Sequence, residues 1–266
     1  MIAIEHLTKV FNVGTVNAVT ALRDLSLHLA DGEFVTVVGS NGAGKSSLLN
    51  SIAGVYAIEH GRIVIDGHDV TTWAEHQRAR FIGRVFQNPS DGTAAAMSIE
   101  QHLVLAQTRG QALRLTPGVT RGRRARFRDA LATLSMGLEN RLQTPVSLLS
   151  GGQRQALTLL MATLARPRVL LLDEHTAALD PGAAAHIMQL TNRLVREQHL
   201  TTLMITHNMG QALACGDRTL MMHRGQVILD LRGDERTALT VQDLVNKFAE
   251  VRQEALTDDV LLLGDH

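Results

Sequence analysis

An internal disulfide is excluded at the outset, because Cys215 is the only cysteine among 266 residues, and a chain so poor in thiols fits a reducing compartment. Lysine is scarce as well: Lys9, Lys45 and Lys247 are the only ones, and arginine carries the remaining positive charge. An excess of either sign is missing, since 26 acidic residues balance 26 basic ones. That balance removes the long-range field expected of a chain that tracks nucleic acid or adheres to anionic lipid, though local patches are still allowed. No apolar run approaches the ~18 residues needed to span a bilayer, and the opening MIAIEHLTKVF lacks the architecture of a signal peptide. Any membrane role is therefore expected to pass through a partner. What is present is an ordinary α/β composition, long enough for one large domain or two small ones, without repeats or low-complexity segments.

Ile2 to Leu7, Ser26 to Leu29 and Phe34 to Val38 alternate or run apolar with β-branched residues, as strands do. RIVIDG, Arg62 to Gly67, reads as a strand closed by an Asp-Gly turn. From about Ile99 to Met136 the pattern is helical, interrupted by RLTPGVTRG at Arg114 to Gly122. A helix is predicted from Gly151 to about Ala165, then a buried strand in RVLLLDE, a helix opened by Pro181 and a strand in TTLMITH. Strands alternating with helices imply parallel pairing in a covered sheet. From Asp234 onward one amphipathic surface helix and a tail are expected.

GSNGAGKSS, Gly39 to Ser47, matches G-x-x-x-x-G-K-[ST] and lies between a predicted strand and a predicted helix, the context this motif needs. Its glycines let backbone N–H groups curl into an anion-binding nest, and the helix start adds its dipole. Lys45 would reach the β- and γ-phosphates and the Ser46 hydroxyl would ligate Mg²⁺. Downstream, VLLLDEHTAALD describes a buried strand that delivers Asp173 to its carboxyl end, where open α/β sheets bind ligands. Asp173 is suited to Mg²⁺, while Glu174, pointing away from it, can face an attacking water. A second glycine-rich stretch, SLLSGGQRQAL at Ser147 to Leu157, then needs an explanation, because one phosphate loop is already complete.

The phosphate loop, Gln87 in VFQNPSDG, LSGGQ at Leu149 to Gln153, the acidic strand, ALD at Ala178 to Asp180 and His207 in MITHN occur in the order and spacing of ATP-binding cassette ATPases. The resemblance covers roughly residues 1–232, and LSGGQ is specific to that family among phosphate-loop proteins. It implies an α/β fold with a RecA-like P-loop NTPase core, an N-terminal antiparallel β subdomain and a helical subdomain inserted at about 96–154, leaving 233–266 as a C-terminal helix and tail. It also explains the second glycine stretch. In the resembled family two cassettes face head to tail, and Ser150, Gly151, Gly152 and Gln153 of one close on the γ-phosphate of the ATP held by the other. By local sequence alone Ser150 could equally be just a helix cap.

Further roles carry over from the resemblance position by position. The loop residues Gly39, Ser40, Asn41, Gly42, Ala43, Gly44, Lys45, Ser46 and Ser47 would cradle ATP. Gln87 resembles the glutamine that touches Mg²⁺ and the water, and its loop leads to the membrane partner. Glu174 resembles the catalytic base, His207 the switch histidine on the γ-phosphate, and Asp180 the aspartate coupling the two sites. Phe11 stands where an aromatic stacks on adenine, usually a tyrosine; such stacking is worth ~1–3 kcal/mol by analogy with nucleic-acid platforms. His175 departs from the family, replacing a common proline, and QALTLLMATLARP replaces an arginine-containing stretch. All residues expected to touch nucleotide are present, so an active ATPase is expected.

DEHTAALDP with LMITHNMGQAL resembles a bacterial subgroup found with permeases of the branched-chain amino acid type and lipoprotein-like solute-binding proteins. The partners implied are a second copy of the chain, an integral membrane permease and, through it, a solute-binding protein, with an amino acid or similar solute carried inward. The placement implied is peripheral, on the cytoplasmic side of the inner membrane. No nucleic-acid partner is expected, and RGRRARFR, Arg121 to Arg128, reads as a solvated helical face. An exporter ATPase or a soluble iron-sulfur assembly ATPase is the alternative; chromosome-type cassettes would need coiled-coil or zinc insertions, and translation-type ones a second cassette.

Overall fold

The computed structural model describes residues 1–111, 117–247 and 249–250. One sheet is antiparallel throughout: β1 (Ile2–Phe11), β2 (Val19–Leu29), β4 (His60–Ile65) and β5 (His68–Asp69), in the order β2-β1-β4-β5. Both long strands extend beyond the apolar alternation. In β1 the inward residues are Ile2, Ile4, Leu7 and Lys9, so the period of two slips once, at His6, whose φ is 51°. In β2 the slip falls at Asp24, with φ 46°, between buried Leu22 and Leu25. A bulge inserts one residue and reverses which parity faces inward, so a strict alternation appears to end there. The Asp66-Gly67 pair, with φ of 51° and 76°, forms the turn between β4 and β5.

The second sheet has the order β10-β9-β3-β8-β7-β6. β3 (Phe34–Gly39), β6 (Ile82–Val85), β7 (Val169–Asp173), β8 (Thr201–Ile205) and β9 (Arg218–His223) are parallel, and β10 (Gln226–Arg232) pairs antiparallel with β9. The apolar runs of β3, β7 and β8 follow from coverage on both faces. One core joins Val35, Val37, Leu171, Leu203 and Ile205 to α1 (Lys45–Ala53) and the antiparallel sheet. The other joins Leu170, Leu172 and Met204 to α5 (Gly151–Leu164) and α6 (Pro181–Gln198).

Because β6 and β7 are neighbours, the chain between them leaves the sheet and returns beside its point of departure. The short α2 (Glu75–Arg78) precedes β6, and the excursion after it carries α3 (Ile99–Thr108), α4 (Arg121–Ala132) and α5, whose Ile99, Leu103, Phe127, Leu131, Leu157 and Leu160 share the second core. Of the arginine-rich face, Arg121, Arg126 and Arg128 are exposed. Arg124 instead grips Glu100 of α3 with two bonds, 2.7 and 3.0 Å.

The single C-terminal helix expected from Asp234 is split. α8 (Gly233–Thr237) stops, and a new helical stretch begins after Thr240, whose Oγ1 accepts the Asp243 N–H at 3.2 Å. A threonine that caps a helix start offers the backbone an alternative to continuing the preceding helix. Leu244 is fully buried against Val38, Ala212, Met221 and Leu231, so this segment docks on the sheet rather than lying free on the surface. The expected tail, 251–266, lies outside the described residues.

Candidate functional site

The phosphate loop lies at the carboxyl end of β3. Gly44 has φ 98°, and a Cβ there would stand 2.5 Å from the Ala21 carbonyl oxygen, so both conformation and space demand glycine. Among the described helices of nine residues or more, α1 alone starts without a side-chain cap; Ser98, Thr120, Ser150 and Asp180 cap α3, α4, α5 and α6. The first turn of α1 also holds no acidic residue. Its N–H groups and the positive end of its dipole are thus left for an anion. Lys45 Nζ folds back onto the carbonyls of Gly39 (2.8 Å) and Ser40 (3.0 Å). Burial lowers its pKa, with Glu174 and Asp173 opposing that shift.

Three strand ends converge beside this loop. Gln87 follows β6, Glu174 follows β7 and His207 follows β8. Gln87 Nε2 donates to Glu174 Oε2 at 3.3 Å, and His207 Nδ1 lies 3.3 Å from the same oxygen. Glu174 has left the strand: its φ is 43°, a left-handed conformation costing roughly 1–3 kcal/mol in a non-glycine residue. Off the strand, its carboxylate meets Gln87 and His207. Burial raises the Asp173 pKa, partly countered by Arg84, whose Nη2 lies 3.8 Å from the carboxylate. Arg84 is itself held by Asn50 Oδ1 at 2.7 Å. No motif marks Arg84, which stands in an ordinary strand pattern.

Gln155, another residue without a sequence signal, is fully buried in α5 and donates to the carbonyls of Phe86 (3.1 Å) and His175 (2.6 Å). It ties the signature helix to the loops bearing Gln87 and Glu174. His175 is buried beside Thr191 Oγ1 (3.0 Å), and desolvation lowers its pKa from 6.5 to about 4. The folded state therefore resists a proton that the unfolded chain accepts. The resulting stability is complete above pH 6.5 and is lost as pH falls towards 4, amounting to roughly 3 kcal/mol. Denaturation midpoints measured from pH 7 to 4 should fall more steeply for the wild type than for His175→Gln; parallel profiles would refute this.

Ser150 forms a capping box with Gln153: its Oγ accepts the Gln153 N–H (3.2 Å) and its own N–H donates to Gln153 Oε1 (3.2 Å). The cap uses only acceptor capacity of the hydroxyl, so its proton is still available to an incoming oxyanion. Gly151 is exposed, whereas Gly152 is buried, and a Cβ on it would meet Ala183 Cβ at 3.1 Å. Gly152 thus serves packing within its own chain. α5 packs on α3, α6 and β6, while α1 packs on β2, β3, β7 and β8. Among the described residues no hydrogen bond joins Ser150 to the phosphate loop. Asp180 caps α6 by accepting the Ala183 N–H at 3.0 Å. Phe11, at the end of β1, meets Tyr56 edge-on (centroids 5.2 Å apart, planes at 89°), and Lys9 Nζ stands 5.1 Å over its ring.

These features define a phosphate-loop nucleotide hydrolase. Residues 22–177 match the family model described as ABC transporter. A Clostridioides difficile (strain R20291) protein named tyrosine transport ATP-binding protein is 44% identical over 93% of this chain and 98% of its own length. A Corynebacterium diphtheriae protein named methionine import ATP-binding protein MetN is 35% identical over 85% of this chain and 64% of its own. Among solved structures, a dimeric ATP-binding cassette in a post-hydrolysis state with ADP and Pi matches with a TM-score of 0.75 at 26% identity, covering 87% of this chain and 98% of that one. An ATP-binding cassette of an ABC transporter in its ADP conformation shares the fold, with a TM-score of 0.77 at 24% identity over 95% of this chain and 98% of its own. The chain belongs to the ABC transporter family, as an ATP-hydrolysing subunit. No described helix is long and apolar enough to cross a membrane.

Proposed function

We propose that two copies of this chain close head to tail around two ATP molecules and drive a membrane permease that imports an amino acid. The observation that carries the chemistry is the convergence of Gln87, Glu174 and His207 beside an uncapped helix start. Phosphates would bind the loop from Gly39 to Ser47, with Lys45 exchanging two carbonyls for phosphate oxygens. Phe11 would stack on adenine. His207 would hydrogen-bond the γ-phosphate, and Glu174 would accept a proton from the attacking water. Ser150 and Gly151 of the second copy, with Gln153 fixing the cap, would complete the site, and Asp180 would relay its state across the interface.

The site also suits a hard cation. Ser46, Asp173 and Gln87 offer oxygen donors, and Gln87, using its N–H on Glu174, keeps its amide oxygen for a metal. Mg²⁺ held by these residues would neutralise phosphate charge during transfer. Closure follows because ATP touches both copies only in the shut state, and hydrolysis removes that preference. We read residues 1–232 as the cassette, the helices within about 96–154 as the part that meets the permease, and 233–266 as an appendage. The cassette would sit peripherally on the cytoplasmic face of the membrane. Import of an amino acid is supported by what the tyrosine and methionine relatives are named for, and a solute-binding protein would deliver it. Capture of tagged Glu174→Gln chain from native membranes with ATP and Mg²⁺ is expected to bring down a polytopic permease. Recovery of soluble scaffold proteins alone would refute the transport reading.

A further inference from the structure

α7 (Met209–Ala214) is six residues long and begins two residues after His207. A helix so short is unstable by itself, so the placement of its start depends on what holds its other end. At the start, Asn208 Oδ1 accepts the Gln211 N–H (3.0 Å), and Thr206 Oγ1 donates to Gln211 Oε1 (3.2 Å). Towards α6 the contacts are long: Asn192 Nδ2 donates to Cys215 Sγ at 3.5 Å, Thr176 Oγ1 donates to Gln211 Oε1 at 3.4 Å, and a cleft of about 580 Å³ lined in part by Glu174 and His207 lies between the two helices.

The other side is different. Arg236 of α8, only 8% exposed, reaches under α7 from the C-terminal segment. Its Nη2 donates to the carbonyls of Ala212 and Leu213 (2.9 Å each) and of Cys215, and its Nε donates to Thr219 Oγ1 at 3.0 Å. Thr219 Oγ1 lies 2.9 Å from Thr36 Oγ1, which is itself 3.2 Å from the Ala212 carbonyl oxygen. A buried cation thus closes the negative end of α7 and fastens it to β3 and β9. Leu244 adds an apolar contact with Ala212. A lysine could not reproduce this, because only the guanidinium fork spans several acceptors at fixed angles.

We propose that Arg236 is a positioning residue for ATP hydrolysis, pinning the C-terminal end of α7 to the central sheet and so setting where His207 stands, with the C-terminal segment as its support. The proposal rests on the reading of His207 as the γ-phosphate contact.

The test uses the full chain with four variants: His207→Ala, Arg236→Met, Arg236→Lys and the His207→Ala/Arg236→Met double. Arg236→Met should bind a fluorescent ATP analogue within about twofold of wild type yet lose about tenfold in kcat, well below its unfolding midpoint, as a displaced catalytic group does. Arg236→Lys should recover part of that loss. In the His207→Ala background the Arg236→Met change should move the residual rate by less than about twofold, because the two act through one contact. A kcat for Arg236→Met within about twofold of wild type, or an equal loss in the absence of His207, would overturn the proposal. Wild-type kcat in His207→Ala would instead overturn the reading of His207 beneath it. If Arg236→Met does not fold, Thr219→Val removes the anchor of Nε together with the Thr219 contacts to Thr36 and the Ala212 carbonyl, all parts of the same fastening, and should show the same split at about threefold; an unchanged kcat there would equally overturn the proposal.

Discussion

Glu174→Gln should bind ATP as the wild type does, lose about 10²–10⁴-fold in turnover, and accumulate as an ATP-bound dimer. Glu174 sits in a left-handed backbone conformation that glutamine tolerates no worse, so the substitution leaves the loop in place. The amide is nearly isosteric but is a far weaker base. In the proposed site binding depends on the α1 N-terminus and Lys45, which the change does not touch. With hydrolysis stopped, the differential contact that holds the dimer shut persists, and the closed state should dominate in excess ATP. Steady-state hydrolysis together with the mass of the ATP-bound species checks both halves. Near-normal hydrolysis would remove Glu174 from the role of base.

Ser150→Arg should spare ATP binding to the isolated subunit and abolish hydrolysis. Ser150 caps the start of α5, and its hydrogen bonds are confined to that helix start, so nothing in one subunit makes ATP binding depend on it. Losing the cap costs roughly 1 kcal/mol of stability, which could be mistaken for the effect sought. Ser150→Asp separates the two, since aspartate caps as well as serine but places a negative charge where the γ-phosphate of the second copy would approach. Both variants should be inactive. The decisive mixture combines Ser150→Arg with Lys45→Ala chains: a head-to-tail pair regenerates one intact site, so hydrolysis should exceed that of either variant alone. No recovery on mixing would refute the trans arrangement, and loss of single-site binding in Ser150→Arg would place the signature within its own subunit's site.

Features that one stretch of chain can encode were legible before any coordinates. The phosphate loop needs glycines beside a strand and a helix, the acidic strand needs an apolar run ending in Asp-Glu, and LSGGQ needs a capped helix start. Each is a local pattern in which periodicity or backbone freedom dictates the residue type. The same locality explains the failures. The bulges at His6 and Asp24 reverse the inward parity, so β1 and β2 read as shorter than they are. The break at Thr240 depends on a cap that competes with a continuous amphipathic pattern.

Tertiary structure decided what lies between motifs. It set the carboxylate of Glu174 between Gln87 and His207, because β6, β7 and β8 are adjacent in the sheet though remote in the chain. It placed Arg84 beside Asp173, buried Gln155 between the loops bearing Gln87 and Glu174, and brought Arg236 under the helix that follows His207. Arginine and glutamine in strands and helices carry no signature of their own. Only packing specifies which carbonyl or carboxylate each one meets, since a buried polar group must find its partner wherever the fold puts one.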